Sequence, residues 1–172
     1  MFGGGIILLK RVIEFFRVLG ELRYLIPVMR YKFPDPDDPA SLAHTFQDTT
    51  NRFAERPFLY FEDEMWTYAD TNKAANILAT YLTSTGVKHG DRIVLFMENR
   101  PSFVISLLAL NKIGAIAVLI NTSLTGDPLI HCINSSDSIK CILGAEQADA
   151  LEDVLDQINI TKQEDFLWSK DT

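Results

Sequence analysis

The sequence predicts an α/β fold: a partial doubly wound parallel sheet flanked by helices and preceded by an N-terminal amphipathic helix. Three short apolar runs, residues 92–97, 115–120 and 139–143, have the length and continuous hydrophobicity of strands buried on both faces. Amphipathic stretches of helical length separate these runs. Because strands that alternate with crossover helices pair in parallel through right-handed connections, the runs predict one sheet with helices on both faces.

The composition is that of a globular protein. The chain has 172 residues, of which 47% are hydrophobic and 23% charged. This length supports a core that buries roughly 70% of the unfolded surface, and the aromatic content excludes a disordered chain. Two cysteines, Cys132 and Cys141, cannot form a disulfide framework and favour a reducing compartment. The net charge of −7 argues against nucleic acid as the main partner.

Charge divides the chain into a basic beginning and an acidic remainder. Residues 1–32 carry a formal charge of +4, whereas residues 33–172 carry −11. This asymmetry indicates a separate role for the first segment. The sequence predicts three parts: an amphipathic helix over residues 1–30, a Pro-rich connector over 31–40 and an α/β body over 41–172.

The helix predicted for residues 1–30 has a charged side and a wide apolar side. Lys10, Glu14, Arg17 and Glu21 follow one another at helical spacing, and Pro27 ends the helix. The apolar side, which is the predicted membrane-contact surface, comprises Leu8, Val12, Phe15, Phe16, Leu19, Leu22 and Ile26.

Two interpretations of this helix stay open. It can lie in the headgroup layer of a membrane, where its cations meet anionic lipid, or its apolar side can pack on the protein itself. No stretch reaches the ~18 uncharged residues of a spanning helix, and no signal-peptide cleavage site follows. The expected location is the cytoplasmic side of a membrane, as a peripheral protein, or the cytoplasm.

The body is predicted to begin with a helix and a hairpin. Asp38 is the predicted N-cap and Pro39 the first residue of a helix that ends by Pro57. Two aromatic runs, residues 58–61 and 65–67, predict the paired strands.

Residues 62–70 predict an acidic turn and the start of a capped helix. Glu62, Asp63 and Glu64 are interpreted as the solvated turn of the hairpin rather than as a catalytic pair. Thr67 and Asp70 fit a capping box, with Asp in the place of Glu or Gln, at the start of the next helix.

Three more helices are predicted between and after the buried runs. The first runs from Pro101 to Gly114, the second begins after residue 126 and the third lies near residues 146–156. A last strand is predicted at residues 166–168.

Ligands of open α/β sheets bind beyond the carboxyl ends of the strands, so the loops that follow the apolar runs are the candidate sites. The loop 121–126 is rich in hydroxyls, but it has one glycine, contains no lysine and precedes Asp127. A phosphate loop requires several glycines and a cation. Thr125 is therefore interpreted as a helix cap.

No other pattern identifies a site. His131, Cys132 and Cys141 lack metal-ligand spacing, and both cysteines are interpreted as core residues. His44 is isolated, and His89 fits a structural turn. The sequence therefore assigns no catalytic, cofactor-binding or metal-ligating residue.

The body also carries a series of short motifs in a fixed order. They are residues 66–70 with 74–76, 86–94, 98–101, 107–115, 120–121, 129–132 and 139–143. Together they span about residues 40–145 and resemble the acyl-adenylate-forming (AMP-binding) superfamily. The apolar first segment, Tyr31 with Lys32, and residues 129–132 look most like the fatty-acid transport protein branch, the very-long-chain acyl-CoA synthetases.

The resemblance implies a fatty acid–CoA ligase at full length. Such an enzyme activates a long-chain fatty acid with ATP and Mg²⁺ to an acyl-adenylate, and the CoA thiol then displaces AMP. The family's phosphate loop, adenine-contacting segment, ribose-binding Asp and catalytic Lys have no counterpart in residues 1–172. The chain is expected to be an N-terminal portion that alone neither binds ATP nor forms acyl-CoA. An incomplete sheet also predicts an exposed strand edge.

Two alternatives to the ligase hypothesis stay open. One is a non-catalytic α/β binding or interaction module that its amphipathic helix docks to a membrane or a partner. The other is a small flavodoxin-like domain with a ligand of its own. A Thr/Ser/Gly-rich loop ending in Lys further along the polypeptide would favour the ligase, whereas a stop codon after Thr172 would favour the module.

Overall fold

The computed structural model describes Gly20, Arg30 and residues 41–169. The chain divides into two units, residues 1–38 and 39–172, and the elements below belong to the second. The predicted amphipathic helix with its seven apolar residues and the Pro-rich connector lie outside the described residues. Within the described part of the chain, no helix has both the length and the hydropathy needed to cross a membrane.

Helix α1 (Leu42–Phe53) opens the body. Its N-cap is Ser41, whose Oγ accepts a hydrogen bond from the backbone N–H of His44 at 3.1 Å. The prediction of Asp38 as N-cap and Pro39 as first helical residue was therefore wrong. Both serine and aspartate cap helices well, and Ser41 is the one spaced to reach the third residue of α1.

A β-hairpin follows α1 and packs on it. Strands β1 (Pro57–Phe61) and β2 (Glu64–Thr67) pair antiparallel, as predicted. The turn residues Glu62 and Asp63 are exposed, and Glu62 has a left-handed backbone (φ +50°). The Phe58 ring lies 4.9 Å, centroid to centroid, from Phe46 of α1, which anchors the hairpin through aromatic contacts.

Helix α2 (Tyr68–Ser84) begins with the predicted capping box. The backbone N–H of Asp70 donates to Thr67 Oγ1 at 3.1 Å, and the N–H of Thr67 donates to Asp70 Oδ2 at 3.2 Å. The hydroxyl of Thr67 also donates to Asp70 Oδ2 at 2.6 Å. These hydrogen bonds from Thr67 stabilise the ionised carboxylate and lower the pKa of Asp70.

The main sheet has four parallel strands in the order β4-β3-β5-β6. The strands are β3 (Arg92–Phe96), β4 (Ile116–Leu119), β5 (Lys140–Gly144) and β6 (Phe166–Ser169). Helix α3 (Pro101–Lys112) connects β3 to β4, and helix α4 (Gly126–Ser135) connects β4 to β5.

Helices cover both faces of this sheet, which confirms the predicted doubly wound α/β class. Successive residues of β3 alternate between the two faces. On one face Val94 and Phe96 pack with Leu129 of α4. On the other face Leu95 packs with Leu110 of α3, together with residues of α2. Each face of β3 therefore contributes to a separate hydrophobic cluster.

Strand β4 differs from its prediction as a strand buried on both faces. It lies at one edge of the sheet, where Ile116 is 47% exposed and Leu119 is 55% exposed. Pairing order causes the difference, because β3 pairs with β4 on one side and with β5 on the other. At the opposite edge Trp168 of β6 is 51% exposed. The expected exposed strand edges are therefore present.

The helix predicted near residues 146–156 is broken into short pieces. Ala145–Gln147 and Leu155–Gln157 are 3₁₀ turns, and only Ala148–Glu152, here α5, is an α-helix. Asn134 of α4 contacts the segment that follows these turns, because its Oδ1 accepts a hydrogen bond from the backbone N–H of Asn159 at 2.8 Å. The tight turns bring buried apolar side chains, Leu151, Val154 and Ile158, onto the sheet, where a regular helix would direct them differently.

A buried ion pair joins β5 to the turn before β6. Lys140 Nζ contacts Asp165 Oδ1, and the two side chains are only 8% and 20% exposed. The exposed pair between Arg92 and Asp137, at 3.3 Å, lies at the amino end of the sheet. Each pair joins one cationic side chain to one carboxylate, but the first is buried and the second is exposed to water. Comparing them therefore isolates the effect of burial on the stability of an ion pair.

We expect Lys140→Met to lower the free energy of unfolding by about 3 kcal/mol, because it leaves the Asp165 carboxylate buried without its cation. Arg92→Met should cost less than about 1 kcal/mol, since water solvates the remaining carboxylate. Urea unfolding of both variants checks this. Equal losses in the two variants would contradict the assigned role of burial.

Candidate functional site

The candidate site is the edge of the sheet formed by the carboxyl ends of β3, β4 and β5. The chain passes from β3 to β4 on one side and then to β5 on the other side of β3. This reversal makes the junction of β3 and β5 the topological switch point, where doubly wound sheets bind their ligands. The loops that meet there are residues 97–100 and residues 144–146.

The carboxylate of Glu146 occupies this junction. Its Oε1 accepts the backbone N–H of Glu98 at 2.8 Å, and its Oε2 pairs with Nη2 of Arg100. The side chains of Arg100 and Glu146 are 8% and 21% exposed. One carboxylate thus bridges the loop after β3 and the turn after β5.

A glycine makes room for this bridge. A Cβ built on Gly144 would overlap the carboxylate of Glu146. The backbone of Gly144 is ordinary extended chain (φ −74°, ψ 141°), so its requirement is close approach rather than backbone strain. The arrangement of Glu98, Arg100, Gly144 and Glu146 is called the switch-point bridge below.

Two clefts lie on either side of the loop that the bridge holds. The strand-end cleft, of ≈ 610 Å³, opens between the ends of β3 and β4. The hairpin cleft, of ≈ 510 Å³, lies between the β1–β2 hairpin and the start of α3. Glu98 and Asn99 line both, so the loop is their shared wall.

The two clefts have different linings. The strand-end cleft combines apolar side chains such as Met97, Phe103 and Leu119 with the polar Asn121 and Thr122. Its wall therefore offers polar contacts at least as much as apolar ones. The hairpin cleft is bordered by Phe61, Trp66 and Ile105 and by the carboxylates of Glu62, Asp63, Glu64 and Glu98.

In the loop after β4, Thr125 has the predicted position of a helix cap but not the hydrogen bond of one. Asn121 Oδ1 accepts the N–H of Ser123 at 2.9 Å, which closes a local turn. Thr125 stands at the N-cap of α4, but its side chain makes no capping hydrogen bond. Its extended backbone alone marks the boundary of the helix. Asp127 in the first turn complements the helix dipole there.

The residues that line these clefts do not fit a magnesium-bound triphosphate. Among the described residues that line either cleft, the single cation is Arg100, and Glu146 pairs with it. Glu98 lines both clefts, and its negative charge there would disfavour phosphate.

The histidines and cysteines considered in the sequence analysis lie outside the two clefts. The His89 ring packs where Gly114 (φ +70°) leaves room for it. His44 is exposed on α1. Cys132 is half-buried rather than fully in the core, whereas burial of Cys141 raises the pKa of its thiol to about 12 and keeps it protonated. Among residues 41–169, no group of metal-binding side chains forms a site.

Sequence reasoning did not single out Glu146. A glutamate just after a strand and before a short helix has the appearance of an ordinary surface residue. Its distinguishing feature is the glycine two residues earlier, at the end of a fully buried strand. Only the fold brings Glu146 next to Arg100, which is 46 positions away in the chain.

Comparison with known proteins identifies the family. The family described as AMP-binding enzyme matches residues 46–171, most of the described chain. The protein belongs to this family, which confirms the resemblance drawn from the motifs. The match covers both clefts and the switch-point bridge.

Relatives of established function include transport proteins and ligases of fatty acids. Long-chain fatty acid transport protein 6 of Mus musculus is 29% identical over 143 residues, which are 83% of this chain and 23% of the relative. The medium/long-chain-fatty-acid–CoA ligase FadD6 of Mycobacterium tuberculosis is 36% identical over 116 residues, 67% of this chain and 19% of the relative. The chain thus spans about a fifth of the length of these relatives.

Solved structures show the same architecture. The N-terminal domain of FACL13 from Mycobacterium tuberculosis has a TM-score of 0.69 at 27% identity, over 76% of this chain and 34% of that one. The anthranilate CoA ligase AuaEII, in complex with anthranoyl-AMP, has a TM-score of 0.70 at 20% identity, over 76% and 25% of the two chains. The fold is that of the N-terminal domains of acyl-CoA ligases.

Proposed function

We propose that this chain is the N-terminal part of an ATP-dependent ligase that joins a long-chain fatty acid to CoA. The full enzyme converts the carboxylate to an acyl-adenylate with release of pyrophosphate, and the CoA thiol then displaces AMP. Adenylation is required because a carboxylate is a poor electrophile and needs a good leaving group. The observation that carries the proposal is the family match over residues 46–171.

The names of the relatives support the substrate class. The name of the transport protein given above specifies long-chain fatty acids, and the name of the ligase specifies medium- and long-chain fatty acids. The strand-end cleft, with Met97, Phe103 and Leu119 in its wall, contributes some apolar contacts among polar ones. ATP, Mg²⁺ and CoA are the co-substrates that the proposal requires, and their phosphates must be held by polypeptide other than the described residues.

The alternative, a non-catalytic interaction module, is favoured by one observation. The cation in the cleft walls is paired with Glu146, so the clefts offer a phosphate no cationic side chain from the described residues. A chain that functions without further polypeptide would therefore act by binding a partner rather than by catalysis.

Activity separates these proposals. The purified 172-residue chain, given palmitate, ATP, Mg²⁺ and CoA, should release no pyrophosphate. The same chain fused in place of the matched segment of FadD6 should support formation of palmitoyl-CoA, because the two segments are 36% identical over 116 residues. Pyrophosphate assay and thioester chromatography measure the two steps.

The control for the fusion is FadD6 whose own matched segment has been cut and rejoined at the same positions. If that control is active and the fusion is inactive, the ligase proposal is wrong. Pyrophosphate release by the chain alone would show that it contains a complete active site, against the proposed division of the enzyme.

A peripheral location at the cytoplasmic side of a membrane is the second part of the proposal. It is supported by the basic, apolar composition of residues 1–32 and by a substrate class that partitions into lipid. The oppositely charged body, at −11 for residues 33–172, would be repelled by anionic lipid.

We expect the full chain to co-sediment with liposomes that contain anionic lipid, and a chain lacking residues 1–30 to remain in the supernatant. Raising the salt concentration should weaken the binding of the full chain, because counterions screen its cations. Equal sedimentation of both chains would argue that the first thirty residues pack on protein instead.

A further inference from the structure

We propose that Glu146 is a positioning residue for the ligand-binding edge of this protein. Its carboxylate occupies the switch-point junction and holds the loop 98–100, which is the shared wall of the two clefts. The inference rests on the proposed ligase function for its catalytic consequence, but its structural part stands on contacts within the described residues.

The first argument is the geometry of the contacts. In many doubly wound sheets a ligand anion fills the switch-point crevice and accepts backbone N–H groups there. Here an internal carboxylate takes that place. It accepts the N–H of Glu98 at 2.8 Å and neutralises Arg100, the residue at the N-cap of α3. An external anion is therefore excluded from the junction.

The second argument is burial. The side chain of Arg100 is 8% exposed, and a buried guanidinium requires a compensating anion. Glu146 supplies it while reaching back over Gly144, whose missing side chain admits the carboxylate. Two loops that are 46 residues apart are thereby fixed to one another at a single point.

The third argument concerns the ligand. Asn99 lies between Glu98 and Arg100, the two residues that Glu146 contacts, and it lines both clefts. Fixing the residues on either side limits the positions that Asn99 can take. Because misplacement of a binding group by about 1 Å is costly in a binding site, Glu146 sets the affinity of these clefts without touching a ligand.

The structural part is tested in the 172-residue chain by hydrogen exchange of the Glu98 amide. Glu146→Ala should speed this exchange about tenfold or more, because it removes the acceptor. Glu146→Gln keeps an acceptor and should restore most of the protection. Gly144→Ala should reproduce the effect of Glu146→Ala, since the added methyl displaces the carboxylate. Glu152→Ala, an exposed glutamate nearby on α5, is the matched control and should change nothing.

Chemical rescue separates a positioned anion from a general loss of stability. Acetate added to Glu146→Ala should slow exchange of the Glu98 amide again, with chloride at the same ionic strength as control. Unchanged exchange in Glu146→Ala, or an equal effect of acetate and chloride, would overturn the proposal.

The catalytic part is tested in the FadD6 fusion. Glu146→Ala should raise the KM for palmitate about tenfold with a smaller change in kcat, and Glu146→Gln should recover part of the loss. An unchanged KM would overturn this part. If the unaltered fusion is inactive while its rejoined control is active, the ligase proposal fails, and the exchange results still decide whether Glu146 positions the loop.

Discussion

Burial of one strand on both faces is the constraint on which the rest of this structure depends. The side chains of Ile93 to Phe96 are inaccessible to solvent and alternate between two hydrophobic clusters. Because each cluster contains helices from a different side, β3 can be buried only when both helical layers are in place. The sheet order, the crossover helices and the positions of the loops at its carboxyl end follow from this requirement.

Burial of β3 between two helical layers also determines where the candidate ligand site lies. A parallel sheet brings the carboxyl ends of its strands to one edge, and the reversal of order at β3 leaves a crevice there. In this chain the crevice is closed by Glu146, and open space remains on either side of the loop that it holds. The described part of an AMP-binding enzyme therefore supplies walls and a fixed loop, whereas Arg100, the single cation among its described cleft residues, is paired with Glu146.

Features that depend on local chemistry could be predicted from the sequence. The capping box of Thr67 and Asp70, the acidic hairpin turn and the continuous apolar run of β3 each carry their own physical reason within a few residues. The choice of Ser41 over Asp38 as N-cap was missed because both residues can cap and only the position of the first turn decides.

Features that depend on distant contacts could not be predicted in the same way. The apolar run of β4 has the same pattern as that of β3, and only pairing order makes it an edge strand. The helical pieces after β5 are short, and Asn134, in a different helix, accepts a hydrogen bond from the chain that follows them. The bridge between Glu146 and Arg100 leaves no periodic trace in the sequence, so the central feature of the site required the fold.

The most direct test of this account is native-state hydrogen exchange of the β3 amides, compared with the free energy of unfolding from urea denaturation. If β3 is the strand that both layers require, the amides of Ile93 to Phe96 should exchange only through global unfolding, with an opening free energy equal to the urea value. Exchange of these amides as fast as that of the β1–β2 hairpin would contradict the account, because the sheet would then open without loss of its helical layers.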